Sequence, residues 1–163
     1  MNHDDCLFVG VDPGKTGAIA VVNQIGEPKW VDDIPRLGGE VDVKGFVEMF
    51  RGKRYLIACA AIERTQAMPQ TPRSVCHSLG MSEGMALAGL LMLPDVRIVR
   101  PRPNEWKKLM KVPADKAKAK EMAEMMFPAM KHRLSRASDH NRAEALLLAD
   151  YARRMWDKIV NGI

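Results

Sequence analysis

Cys6–Val22, CLFVGVDPGKTGAIAVV, decides the fold. An unbroken apolar run, CLFVGV, ends in Asp12; the turn PGKTG follows, and then a second apolar run, AIAVV. Five or six consecutive apolar or small residues bounded by turn signals read as a strand buried on both faces of a sheet. Pro13, Gly14 and Gly17 make a tight reversal, so AIAVV pairs back antiparallel as a hairpin. Asp12 stands where the chain leaves this hydrophobic sheet, a costly place for a carboxylate without a partner. Two roles are open from this stretch: a carboxylate held on a rigid strand end beside room for a ligand, or an Asp that starts the turn.

A second apolar run, Tyr55–Ile62 (YLIACAAI), also ends in a carboxylate, Glu63. Between the two runs lie a short third strand near Lys29–Ile34, closed by Pro35 and Gly38–Gly39, and a helix over Val41–Arg51 ended by Gly52. Val43, Phe46, Val47 and Phe50 give that helix its apolar face. A strand–helix–strand passage implies a crossover, so the Tyr55 strand runs parallel to the Cys6 strand. As neighbours, the two strands deliver Asp12 and Glu63 to one C-terminal edge, where open α/β sheets bind ligands.

Arg64–Pro72 reads as a loop, and Ser74–Leu93 as a long helix with Ser74 as its cap. Gly80, Gly84 and Gly89 are interleaved on that helix with Met81 and Met85. Each glycine weakens a helix by about 1 kcal/mol relative to Ala, so three of them imply close packing against a sheet or a partner helix. A short last strand, Val96–Val99, precedes helices over Asn104–Met110 and Pro113–Ala129 and a basic link over Lys131–Ser138. The final helix, Asp139–Trp156, takes Asp139 as its N-cap and buries a stripe of Ala143, Leu147, Tyr151 and Met155. On it Glu144 projects roughly 40° from His140 and 60° from Asn141.

The chain of 163 residues suits a single domain, residues 1–163, with a sizeable core. Three scattered cysteines, Cys6, Cys59 and Cys76, fit reduced thiols in a cytosol-like compartment. No apolar run approaches the ~20 residues of a membrane span, and MNHDD is too short and acidic for a leader. The net charge of +5 is unevenly placed: residues 97–136 carry 12 Lys/Arg against 4 Asp/Glu, whereas residues 1–96 carry 9 against 12. Such a basic stretch suits a polyanion. Lys116, Lys118 and Lys120 open a helix against its dipole, which favours anions there and points to phosphate. Asp12, Glu63, Asp139 and Glu144, drawn from separate elements, suit hard divalent cations. Two such ions activate a water and stabilise a leaving oxygen in phosphoryl displacement. A metal-dependent nuclease uses both unusual features.

GVDPGKTGAIAVV, AIER, SLGMSEGMALAG, RPRPNEWKK and DHNRAEALLLADYARR resemble, in order, the successive blocks of RuvC-like Holliday junction resolvases, especially the phage-encoded and plastid-type branches. The resemblance implies a ribonuclease H-like α/β fold with a mixed five-stranded sheet flanked by helices. It implies a homodimer that nicks four-way branched DNA symmetrically, using two Mg²⁺ or Mn²⁺ ions and no nucleotide cofactor. By the same resemblance Asp12, Glu63, Asp139 and Glu144 are the catalytic, metal-binding acids, with His140 beside the metal; in the bacterial branch the first of the last pair aligns with Asn141. Lys107, Lys108, Lys116 and Lys118 fall in DNA-contacting regions. Lys15 in the first turn, and Arg64 and Gln66 where relatives carry a stacking aromatic, complete the expected DNA face. Gly80, Met81, Gly84 and Met85 match the segment used to dimerise. The expected setting is a phage- or bacterium-type host cytoplasm, or an organelle stroma or matrix if a leader has been removed. The rival readings are a non-catalytic junction-binding protein and an actin-like ATPase or kinase, which shares the opening Asp–Gly turn but needs a further domain.

Overall fold

The computed structural model describes residues 6–51 and 56–161. Gly52 and Tyr55, expected to end the first helix and start the second apolar strand, lie outside the described residues, as does the N-terminal MNHDD. β1 (Cys6–Asp12) and β2 (Ala18–Asn23) form the hairpin expected from the opening stretch, with Asp12 opposite Ala18. β3 (Pro28–Asp33) pairs antiparallel with β2. Pro35 and the glycine pair do more than end β3. Arg36–Leu37 (β4) and Glu40–Val41 (β5) form a separate hairpin turned by Gly38 and Gly39 at φ +62° and +87°. Two-residue strands leave no alternation to read, but this backbone favours glycine.

α1 (Val43–Glu48) is shorter than expected at both ends. Asp42 caps its start, its carboxylate accepting from the Gly45 N–H at 3.0 Å. Past Glu48 the backbone tightens, the Phe50 N–H donating to the Val47 carbonyl and the Arg51 N–H to the Glu48 carbonyl, each at 3.1 Å. β6 (Leu56–Ile62) lies parallel to β1, with Ile62 beside Val11. α2 (Arg73–Leu91) begins one residue before the expected cap. Pro72 occupies the cap position without a side-chain bond, and Ser74 sits inside the first turn. β7 (Arg97–Val99) adds a further parallel strand to β6. α3 (Pro103–Met110) and α4 (Lys116–Met126) follow, the second capped by Asp115, which accepts from the Lys118 N–H at 2.9 Å. The basic link is two 3₁₀ turns, Pro128–Leu134 and Ala137–Asp139, leading into α5 (His140–Asn161).

The five-stranded sheet has the order β3-β2-β1-β6-β7 and is mixed. Strand alternation sorts its side chains. Val9, Val11, Ile19 and Ile62 face Phe46 of α1 and Leu90 of α2. Phe8, Cys59 and Ala61 face Trp106 and the buried stripe of α5. Gly10, Asp12 and Glu63 share the register of the α5 side, so this alternation decides where the site forms. Gly10 is required there: a Cβ on it would lie 2.1 Å from the Ala145 carbonyl oxygen and 2.2 Å from the Ala149 nitrogen. α5 rests its backbone directly on β1 at this point. Of the α2 glycines, Gly89 is explained by α1, since a Cβ there would meet the Phe46 ring at 2.6 Å, whereas Gly80 and Gly84 face open space. Among the described residues no helix is long and apolar enough to cross a membrane.

Candidate active site at the C-terminal edge of the sheet

β1 and β6 end together. The Glu63 N–H donates to the Val11 carbonyl at 3.1 Å, fixing the second acid one strand from the first. Asp12 is buried and its Oδ1 accepts from the Gly14 N–H at 3.1 Å. This is the turn-starting role open from the sequence, and it leaves the second carboxylate oxygen for other use. Burial raises the Asp12 carboxyl to about 7; the Gly14 bond opposes the shift, the charges of Glu144 and Glu63 reinforce it, and the charge of Lys107 opposes it. Glu63 is raised by burial too, against a 2.6 Å hydrogen bond from the Trp106 indole N–H and with the charge of Glu144 adding to it. Glu144, also buried, accepts from Lys107 Nζ at 2.7 Å, and that ammonium lies 5.4 Å from the centre of the Trp106 ring.

The structure thus brings Asp12, Glu63 and Glu144 into one electrostatic group, with Lys107 as its cation. Three carboxylates in a desolvated place repel one another, and a single ammonium offsets only part of that charge. This donor chemistry fits Mg²⁺ or Mn²⁺, which take oxygen ligands. As the side chains stand, no group of three or more His, Cys, Asp or Glu among the described residues is close enough to hold an ion. The carboxylates would have to turn toward one another and Glu144 would have to give up Lys107.

Asp139 is placed differently. Its carboxylate turns back to Arg136, accepting from the backbone N–H at 2.8 Å and pairing with the guanidinium at 2.7 Å, with Arg142 at 3.9 Å. Burial alone would raise its pKa; the hydrogen bonds from Arg136 and the charges of Arg136 and Arg142 outweigh that and hold it low. It lines an open cleft with Lys15, Thr16, Asn141 and Arg142. Asn141 donates to the Thr16 carbonyl at 2.6 Å, tying the start of α5 to the turn after Asp12. His140 points to α4, its Nε2 3.5 Å from Lys116 Nζ, beside a second hollow that includes Lys120.

Of the remaining expected residues, Lys15, Arg64, Gln66, Lys108, Lys116 and Lys118 are exposed, whereas Lys107 is half-buried on Glu144. Gly80, Met81 and Gly84 are exposed along α2, and Met85 is half-buried. Sequence reasoning missed Trp106, the group that orients Glu63. A signal was present: Trp106 and Met110 stand four apart on a Pro-started helix, and a buried indole N–H needs an acceptor. Trp106→Phe should lower stability by about 1–2 kcal/mol, read from urea unfolding, because it leaves the half-buried Glu63 carboxylate without its indole donor.

A five-stranded mixed sheet of this order, with a long C-terminal helix laid across its first strand, is a ribonuclease H-like fold of the RuvC type. One solved structure to which the chain is similar is T. thermophilus RuvC in complex with a Holliday junction substrate. The TM-score is 0.65 at 16% identity, covering 95% of this chain and 96% of that one. No family model and no curated protein matches the chain in sequence.

Proposed function

We propose that this chain is a divalent-metal-dependent endonuclease that acts as a homodimer and nicks four-way DNA junctions in symmetric pairs. The observation that carries this reading is the convergence of Asp12 and Glu144, both buried, and half-buried Glu63, from β1, α5 and the end of β6, on one sheet edge. The RuvC-type fold supports it, as does the solved relative's Holliday junction.

Bound Mg²⁺ or Mn²⁺ would activate a water and stabilise the leaving oxygen of the scissile phosphodiester. Asp12, Glu63 and Glu144 would hold the ions, and Asp139 joins them only on release from Arg136. The chain's own contribution is preorganisation: Asp12 is fixed by the Gly14 N–H and Glu63 by Trp106. Lys107, which holds Glu144 at 2.7 Å, would turn to a phosphate oxygen of the bound DNA if Glu144 held an ion. Exposed Lys15, Arg64, Gln66, Lys108, Lys116 and Lys118 then follow the DNA backbone around the acidic edge. The open Gly80–Met81–Gly84 face of α2 takes the second protomer.

A junction-binding scaffold on the same fold is the weaker alternative. A carboxylate pushed to about 7 by burial and by neighbouring acids lowers stability, and binding alone has no use for it. The test is a synthetic four-way junction incubated with the protein in Mg²⁺ or in EDTA. Nicks in Mg²⁺ and none in EDTA are expected; tight binding without nicks in Mg²⁺ or Mn²⁺ would establish the scaffold.

A further inference from the structure

Glu83 is a buried acid on α2 that the metal reading does not use. It is 8% exposed, yet its carboxylate is fully engaged. Oε2 accepts from the Thr65 N–H at 2.9 Å and the Thr65 hydroxyl at 2.6 Å, while Oε1 accepts from the Arg100 guanidinium at 2.6 Å. Thr65 lies two residues beyond Glu63. Residues 66–70, which follow it, are exposed. The exit of β6 is therefore held at three successive residues, by β1, by the loop after β7 and by α2. Glu63 N–H is tied to Val11 of β1 at 3.1 Å, and Arg64 N–H to Pro101 after β7 at 3.0 Å. Thr65 is tied to α2, and Glu83 is the last anchor before an exposed loop.

We propose that Glu83 is a positioning residue for Glu63: from α2 it fixes the chain at Thr65, so that Glu63 keeps its place beside Asp12 and Glu144. The role in cleavage rests on the reading of Glu63 as a metal ligand; the positional role does not. Two of the three bonds that Glu83 accepts reach a loop rather than the core, the wrong direction for a group that only pins α2 to the sheet. The third fixes the carboxylate. Arg100 reaches it from the strand side, and together with Thr65 it holds the Glu83 carboxyl below its ordinary value although burial alone would raise it.

The Trp106 indole N–H, bonded to Glu63, is a direct reporter of that carboxylate's position. Its ¹H–¹⁵N resonance, assigned by its loss in Trp106→Phe, should move in Glu83→Gln and in Thr65→Val and stay in place in Thr65→Ser, which keeps both bonds to Glu83. Junction nicking by the first two variants should fall in kcat by about tenfold to a hundredfold, the scale of a misplaced catalytic group, with junction affinity unchanged. Thr65→Val alters only a half-exposed side chain, so it keeps the test open if Glu83→Gln folds poorly. An indole resonance that stays in place in both variants overturns the proposal, and so does a lowered melting temperature with unchanged kcat. A wild-type protein that nicks nothing defeats the nuclease reading alone, and the indole shifts still decide the positional role.

Discussion

Asp12→Asn is expected to abolish junction cleavage, by about 10³-fold or more given the several kcal/mol that metal coordination supplies, while leaving junction binding intact. The same change is expected to stabilise the metal-free protein at alkaline pH. Asp12 is raised from 3.8 to about 7, chiefly by burial. Between these values the folded protein holds a proton that the unfolded chain has released, so stability falls as pH rises and levels off above about 7. The full shift corresponds to at most about 4 kcal/mol. Asn keeps an oxygen to accept the Gly14 N–H and has no proton to lose. Urea unfolding in EDTA at pH 5 and pH 8 should show the wild-type protein losing stability between the two, with a much smaller loss in Asp12→Asn. Equal pH dependence in the two proteins would contradict the burial argument. A gain in stability with a loss of cleavage is the signature of a residue kept for chemistry.

Gly10→Ala is expected to be the most damaging single-methyl addition in the described chain, at about 3 kcal/mol or more, the upper range for overpacking. The three atoms nearest the added carbon, at 2.1, 2.2 and 2.7 Å, are all backbone atoms of α5, so no side-chain rotation relieves the clash. α5 must lift off β1. Glu144 precedes Ala145, whose carbonyl is the nearest of those atoms, so the helix carries the third acid away from Asp12 as it moves. Thermal unfolding should show a large fall in midpoint, and the protein that remains folded should have lost Mg²⁺-dependent nicking. Gly84→Ala, which adds a methyl in open space, is the matched control and should leave monomer stability nearly unchanged or raised.

The opening stretch carried much of this in its pattern. Unbroken apolar runs ending in Asp12 and Glu63 are visible without coordinates, and the crossover argument made them parallel neighbours, as the Val11–Ile62 pairing shows. The α5 stripe was equally legible, since Ala143 and Leu147 are wholly buried. The β4–β5 hairpin was not, because two-residue strands have no period. The partners of the acids were also out of reach, because each depends on a side chain from a different part of the fold. Trp106 is 43 positions from Glu63 in sequence, and Lys107 is 37 from Glu144. Asp139 shows the reverse case: its main partner, Arg136, is only three residues away. An Asp before a helix reads as a cap, and that reading hid the closer bond to the preceding 3₁₀ turn. The strand pattern placed Asp12 and Glu63 at one edge, and the family resemblance added Asp139 and Glu144. Charge coupling groups Asp12, Glu63 and Glu144, whereas Asp139 is tied to arginines.

The proposed function comes down to one event, cleavage of branched DNA at the acidic edge with the help of a divalent ion. The measurement that tests it most directly is nick mapping on end-labelled four-way, three-way, flap and linear DNAs of matched sequence, each in Mg²⁺. Paired nicks are expected at symmetric positions in the four-way junction, with little or no cleavage of linear duplex and none at all by Asp12→Asn. Cleavage of linear and branched DNA at equal rates, or full cleavage by Asp12→Asn, would contradict it.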